Sequence, residues 1–219
     1  RIDYGLSDAI TVTSLTSYAD YRQNDLVDPD GTAMVLADTR DQGTIKAFFQ
    51  ELRLSGEFGG GSRWIVGANY ENNKVREVQT LRTTQNSGFA PFELFFGLPV
   101  PNDIDLTSDQ KFKNYSAFAN LDLAVSDVIT LHGGLRYTDT SDAFTGCTGN
   151  SANGSLAIGL GILSQGNPFA LGPNPVCTQL DANLKPTITR NTLAEDNVSW
   201  RVGVDYQPSS DTLVYANVS

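Results

Sequence analysis

The side chains able to do chemistry are few and scattered. There is one histidine, His132, and there are two cysteines, Cys147 and Cys177. Zinc is held by three or four Cys, His or carboxylate ligands at close spacings, and these three residues form no such set. No G-x-S-x-G elbow and no P-loop is present, so the motifs of nucleophilic and phosphoryl-transfer catalysis are missing. Gly159-Leu160-Gly161 lacks the third glycine and the strand–helix setting of a dinucleotide site. Asp28, Asp30, Asp38 and Asp41 crowd one stretch. Calcium takes such oxygen ligands, but the spacing is not that of an EF-hand, and Asp28-Pro29-Asp30-Gly31 reads first as a turn. The expectation is a protein that is not an enzyme and carries no cofactor and no metal.

Composition narrows the class. The 219 residues are 40% hydrophobic, 10% aromatic and 18% charged, which suits one large all-β or α/β unit and excludes general disorder. A net charge of −10 repels nucleic-acid phosphates, so no nucleic-acid partner is expected. Mean hydropathy is −0.23. No run approaches the ~18 apolar residues of a membrane helix. A membrane β-barrel stays open, because alternating strands leave a weak hydropathy signal. No leader sequence is visible, and Leu213 to Ser219 reads as an interrupted strand, so an internal fragment is expected.

The elements that must position these residues are strands. β-branched and aromatic residues alternating with polar ones predict strands at about 9–23, 44–57, 63–82, 112–125, 129–142, 197–207 and 212–219, with a stub at the start. Ser155 to Leu163 could make a helical turn or two, weakened by its glycines. Ile10 to Tyr18 fits neither parity cleanly, which points to a β-bulge. The connections alternate. Short turns lie at Gly5 to Asp8, around Gly59 to Ser62, at Ser126 to Val128 and at Pro208 to Asp211. Long loops rich in Gly, Pro, Asn, Asp and Thr lie at about 24–43, 83–111 and 143–196. In an up-and-down sheet this places all tight turns on one side and all long loops on the other, as in outer-membrane barrels.

The strand faces agree. Trp64, Val66, Ala68 and Tyr70 form one face against Ile65, Gly67, Asn69 and Glu71. Ala117, Ala119, Leu121, Leu123 and Val125 oppose Ser116, Phe118, Asn120 and Asp122. Leu131, Leu135 and Tyr137 oppose His132, Arg136 and Thr138, and Trp200, Val202, Val204 and Tyr206 oppose Arg201, Gly203 and Asp205. A soluble β-sandwich alternates too. Strands this long reach the ~9–11 residues needed to cross a bilayer at a tilt, and aromatics at the ends of apolar faces suit the membrane interface.

Several of these runs look familiar as a set. Thr13-Ser14-Leu15-Thr16-Ser17-Tyr18, Gln50-Glu51-Leu52-Arg53-Leu54-Ser55 and Trp64-Ile65-Val66-Gly67-Ala68-Asn69-Tyr70 resemble barrel strands of TonB-dependent outer-membrane receptors. So do Leu131 to Thr138, Ser199 to Pro208 and Asp211 to Ala216, in the family's order. The resemblance implies an all-β chain. Its fold would be an antiparallel up-and-down transmembrane β-barrel segment, with about 7–8 strands of a barrel of about 22. Residues 1–219 would be a partial barrel domain, with the family's plug and its TonB box outside this stretch.

What the resemblance implies for function is outer-membrane transport of a scarce nutrient, with a ferric siderophore or other iron complex as the default. The site is the cell outer membrane of a Gram-negative bacterium. The partners are membrane lipid, a small-molecule ligand and, through the N-terminal part, the TonB–ExbB–ExbD complex. Two other readings stand beside it: a plug-less porin-like barrel, and a secreted carbohydrate-binding or adhesive β-sandwich. In the barrel, Trp64, Tyr70, Tyr137, Trp200 and Tyr206 would face lipid. Arg53, Arg136 and Arg201 would face the lumen, meeting plug, anionic substrate or neighbouring carboxylates, and His132 would face it as a structural polar contact in the barrel wall. With a three-residue turn after Val125, Asp122 would lie across from His132. Phe92, Phe95 and Phe96, in the apolar loop Pro91 to Pro99, would meet ligand or plug, or pack on other loops. The cell exterior is oxidising, so Cys147 and Cys177 are expected to pair, making a rigid lid or protecting a long loop from proteolysis.

Overall fold

The computed structural model describes residues 1–172 and 176–219. Among these residues eight strands form one antiparallel sheet in strict chain order. They are β1 (Ile2–Ser7), β2 (Ile10–Val27), β3 (Ala37–Phe58), β4 (Ser62–Thr83), β5 (Ile104–Ser126), β6 (Ile129–Thr148), β7 (Thr189–Ser209) and β8 (Thr212–Val218). Two helices, α1 (Pro91–Phe96) and α2 (Ser155–Gln165), sit in the loops. The sheet is not closed, and β1 and β8 are its edges.

Four tight turns lie at one end of the sheet, and three longer loops, 28–36, 84–103 and 149–188, lie at the other. These loops are shorter than the expected 24–43, 83–111 and 143–196, because β2 to β7 run on past the apolar residues. Residues such as Asp25, Arg40, Asp41, Glu77 and Glu195 continue the ladders with polar side chains on both faces. Apolar alternation stops where the apolar surroundings stop; backbone pairing does not.

The pairing puts the apolar residues in register. One row reads Tyr4, Val12, Leu54, Val66, Ala119, Leu135 and Trp200, each directly opposite the next. The next row toward the turns reads Ile10, Gly56, Trp64, Leu121, Gly133, Val202 and Val218. Directly opposite residues share a face, so an apolar band spans all eight strands. On β5 it runs from Tyr115 to Leu123, and on β6 from Tyr137 to Ile129. At ~3.3 Å per residue and a tilt near 40°, the band is about 20–25 Å tall, close to the belt of an outer-membrane barrel.

Among the described residues no second layer covers this face. Each strand contacts its neighbours in the sheet, and α1 and α2 contact each other. Many of the band's side chains are accordingly exposed, among them Leu52 at 55%, Leu135 at 55% and Trp200 at 51%. A β-sandwich would bury them against a facing sheet, so the sandwich reading is set aside.

The expected bulge in Ile10 to Tyr18 is not there. β2 pairs with β3 without a break from Ile10↔Gly56 to Val27↔Thr39, and the irregularity lies earlier, between Gly5 and Ser7. The parity looked broken because Ser14 and Thr16 stand on the apolar face. They are satisfied there by Gln50: Thr16 Oγ1 donates to Gln50 Oε1 at 2.6 Å, and Gln50 Nε2 donates to Ser14 Oγ at 3.0 Å.

Candidate functional site

The polar face and the outer loops carry the chain's distinctive side chains. On the polar face Arg53, Gly67, Phe118, Arg136 and Ser199 form one row. Phe118 lies over Gly67, where an added Cβ would sit 2.7 Å from Phe118 Cζ. The Arg136 guanidinium stands 5.8 Å from the Phe118 ring centroid, a cation–π arrangement. Arg136 also donates to Ser116 Oγ at 2.8 Å and to Thr138 Oγ1 at 3.2 Å. Arg53 pairs with Glu51 at 3.3 Å. Arg201 crosses Gly134 to donate to Asn120 Oδ1 at 3.3 Å. Arg136 and Arg201 are thus held by neutral partners and line a cavity of 430 Å³ with Phe118 and Asn120. The three arginines share a face but do not converge on one point.

Nearer the tight turns, Asp122 lies directly across from His132. The turn is tighter than three residues: β5 ends at Ser126 and β6 starts at Ile129, with the pairing shifted between Ala124 and Ser126. His132 Nδ1 lies 2.8 Å from Asp122 Oδ1, and Nε2 lies 3.0 Å from Asp205 Oδ2. Arg63 reaches Asp122 at 3.9 Å. The imidazole therefore ties β5 to β7 across β6. The sequence places Asp205 on the polar face but not beside His132, because it is a diagonal neighbour whose position depends on the β6–β7 register.

The aromatics divide. Trp64 lies near the turn end of β4, with its indole over Gly56, where an added Cβ would meet Trp64 Nε1 at 2.7 Å. Tyr206 lies at the turn end of the band on β7, opposite Ile129. At the loop end, Phe48, Tyr70 and Tyr115 form a continuous row, with centroids 6.2 Å and 4.9 Å apart. Tyr137 lies one row lower, opposite Ala117. Trp200 sits inside the band, opposite Leu135.

In the loops, Pro91 to Phe96 is the helix α1, closed by Gly97 at φ 63°. Proline fits its first turn because no intrahelical partner is lost there. Phe89, Phe92 and Phe96 pack edge to face in series, at 5.8 Å and 5.6 Å. Phe92 lies over Gly159 of α2, where a Cβ would come within 2.2 Å of its ring. Phe95 and Leu94 point outward, 74% and 79% exposed. The three phenylalanines singled out in sequence thus separate: Phe92 packs between loops, Phe96 packs against Phe92, and Phe95 is exposed. α2 is longer than the expected turn or two and buries Leu156 and Ala157. Cys147 and Cys177 are disulfide-bonded, with Cα atoms 5.5 Å apart. Asn153 Nδ2 donates to Val100 O at 2.7 Å, and Ala152 N donates to Asn102 O at 2.9 Å, so the second and third loops form one cap.

The acidic stretch does not gather into a calcium site. Asp28 Oδ1 accepts from Asp30 N and Gly31 N at 3.1 and 3.2 Å, the turn its sequence suggests. Asp30 accepts from Thr32 Oγ1 at 2.6 Å and from the Thr32, Leu36 and Ala37 amides. These donors, the Thr32 hydroxyl first, hold its carboxyl below the usual carboxylate range. Asp38 and Asp41 lie in β3, and Asp41 accepts from Gln79 at 3.0 Å. Among the described residues no group of three or more His, Cys, Asp or Glu side chains could hold a metal ion.

A single up-and-down sheet, apolar on one face and polar on the other, with tight turns at one end and long tied loops at the other, defines a segment of an outer-membrane β-barrel wall. The chain belongs to the TonB dependent receptor-like, beta-barrel family, which it matches over residues 1–219. Members of this family are Gram-negative outer-membrane transporters rather than enzymes, and this chain is placed in that membrane. Solved structures share the fold at low sequence identity. The ferric yersiniabactin uptake receptor FyuA from Yersinia pestis is 11% identical with a TM-score of 0.68, covering 98% of this chain and 26% of that one. The siderophore receptor PiuA from Acinetobacter baumannii is 14% identical with a TM-score of 0.60, covering 98% and 30%. The ferric-catecholate import receptor Fiu from E. coli K12, in its closed form, is 13% identical with a TM-score of 0.55, covering 98% and 31%. The chain thus spans under a third of the length of these structures.

Proposed function

We propose that this chain is a wall segment of a TonB-dependent receptor that imports a ferric siderophore or a related iron complex. The observation that carries the membrane part is the in-register apolar band across all eight strands, with no layer over it among the described residues. In this reading the band, with Trp64, Tyr70, Tyr137, Trp200 and Tyr206, meets lipid. The face bearing Arg53, Arg136 and Arg201 lines the lumen. The open edges β1 and β8 pair with further strands of a barrel of about 22. A plug encoded elsewhere in the receptor gates the lumen, and the TonB–ExbB–ExbD complex supplies the energy.

Support for an iron complex as cargo comes from the structural relatives, whose own ligands are ferric yersiniabactin, a siderophore and ferric catecholates. The outer loops suit an entrance for such a ligand. They are tied to one another by the Phe92–Gly159 contact and the Asn153 hydrogen bond, and they present Phe95 outward. The test is uptake of radiolabelled iron by cells with and without the receptor gene, under iron limitation, across a panel of catecholate, hydroxamate and mixed siderophores. Receptor- and TonB-dependent uptake of at least one complex is expected. Equal uptake in both strains across the panel, with growth on another scarce nutrient impaired, would overturn the iron assignment.

A further inference from the structure

The outer part of the polar face is apolar and acidic at once. Directly opposite residues share a face, so Tyr21, Ile45, Val75, Gln110 and Phe144 form one row on it. Phe112 stands in the next row toward the tight turns, between Asn73 and Asp142, and Phe49 in the row after that, opposite Glu71. From the Phe49 row outward, every charged side chain on this face of β2 to β7 is a carboxylate: Asp25, Asp41, Glu71, Glu77, Asp142 and Glu195. The arginines of the face lie deeper, in the Arg53 row and below it. The reverse side carries bases at the same height, among them Lys74 and Arg76, so the single sign of charge belongs to the face and not to the composition of the strands.

These carboxylates lack cations. Among the described residues none of them forms an ion pair. Asp25 stands directly opposite Asp41, an unfavourable pairing of like charges. Asp41 accepts from Gln79 and Glu71 from Asn73, both neutral donors. Asp142 Oδ1 is buried with no hydrogen-bond partner. A groove of 140 Å³ joins the two kinds of side chain, with Tyr21, Ile45 and Val75 along it beside Asp41 and Glu77. Arg76 also borders the groove, but its guanidinium pairs with Asp109 on the reverse side, at 3.7 Å.

Aromatic faces and carboxylates attract the same kind of ligand, a cation with apolar flanks. We infer that this wall receives a ferric trihydroxamate complex bearing a free ammonium group. The ammonium seats in the groove beside Tyr21, Asp41 and Glu77, and the chelate lies against Val75, Phe112 and Phe144. The inference narrows the iron assignment above and rests on it. Charge complementarity selects the occupant. Ferric iron with three hydroxamates is a neutral centre, to which the ammonium adds one positive charge. Three catecholates leave the same iron with three negative charges, which a wall of carboxylates repels.

The experiment uses the full receptor, extracted from outer membranes in mild detergent and titrated with three ferric complexes by calorimetry. They are a linear trihydroxamate with a free terminal amine, the same complex with that amine acetylated, and a tris-catecholate. Wild type is expected to bind the amine complex roughly tenfold more tightly than the acetylated one, the worth of a cation placed on an aromatic face among carboxylates. The catecholate should bind most weakly of the three, and the preference for the amine should shrink as salt is raised. The variant D25N/D41N/E77Q is expected to lose that preference. Its amides keep hydrogen-bonding capacity and relieve the Asp25–Asp41 opposition, so the barrel should still fold; the comparison of the amine and acetylated complexes on wild type needs no variant at all. Equal binding of those two by wild type would overturn the inference, as would tightest binding of the catecholate or an unaltered preference in the folded variant. Iron uptake by cells separates the two levels. Receptor-dependent import of the catecholate alone defeats this inference and leaves the iron assignment standing. Binding and import of none of a wide panel of ferric complexes defeats the iron assignment, and this inference with it.

Discussion

His132 lies between two carboxylates on different strands, 2.8 Å from Asp122 on β5 and 3.0 Å from Asp205 on β7. One side chain thereby clamps three adjacent strands near the tight turns. The three side chains are about one-third exposed, which limits the energy of the clamp. His132→Gln in the full receptor is expected to lower barrel stability by about 1 kcal/mol, seen as a lower urea midpoint of the heat-modifiable folded band. Asp205→Asn should act in the same direction. An unchanged midpoint in both variants would show that the contacts contribute nothing.

Gly67 is a space requirement rather than a turn. A Cβ there would sit 2.7 Å from Phe118 Cζ, 2.9 Å from Arg53 Cβ and 2.9 Å from the Leu52 carbonyl oxygen, and the last of these cannot swing away. Gly67→Val is expected to cost about 1–3 kcal/mol through overpacking. It should also release Arg136 from the ring it covers. Gly43→Val is the control, since its nearest neighbour would be 3.6 Å away. The comparison is the fraction of folded barrel recovered at fixed urea; equal recovery of the two variants would contradict the packing described.

The Cys147–Cys177 bridge closes a loop over a sequence separation of 30. In the chain-entropy model the bridge lowers the entropy of the disordered loop, which favours the ordered one by roughly 3–4 kcal/mol. Cys147→Ser/Cys177→Ser should leave the strands folded and speed proteolysis within 149–188. Western detection of the clipped fragments after limited chymotrypsin on intact cells reads this out, since the loop offers Phe169 and several leucines but no basic residue other than Lys185, which precedes Pro186. Protection equal to wild type would mean that the Asn153 and Ala152 hydrogen bonds suffice.

Asp30 organises loop 28–36 only as a carboxylate, because all of its partners are donors. Its carboxyl is held below the usual range, so the stabilisation is complete above the ordinary carboxylate pKa of about 4 and is lost as pH falls through the lowered value. Hydrogen exchange at the Leu36 and Ala37 amides is expected to be slow at neutral pH, after correction for intrinsic rates, and to lose protection at strongly acidic pH. Asp30→Asn should lack this acid transition. A variant that keeps the same transition would assign it to another group.

The sheet was legible in sequence wherever membrane and lumen impose opposite demands on alternate residues. Trp64 to Tyr70 and Trp200 to Tyr206 display that alternation; it bounds β4 to within a residue at each end and β7 closely at its turn end only. Beyond the band both faces meet water, so the ends of β5 and β7, near Ile104 and Thr189, carry no such signal and read as loop. α1 was read as an apolar loop, because a helix of six residues shows little periodicity. Of the polar face, the Asp122–His132 pair followed from counting across one turn. The partners Phe118 for Arg136 and Asp205 for His132 needed the register of two further strands.

Site-directed spin labelling of the full receptor in liposomes addresses the side of the sheet that meets lipid. Labels are placed singly at Asn120 and Leu121 on β5, at Gly134 and Leu135 on β6, and at Arg201 and Val202 on β7. Accessibility to oxygen, which concentrates in lipid, is compared with accessibility to a water-soluble nickel complex. Leu121, Leu135 and Val202 are expected to favour oxygen and Asn120, Gly134 and Arg201 to favour nickel, alternating residue by residue. Uniform accessibility along each strand, or the opposite alternation, would contradict the orientation on which the wall assignment stands.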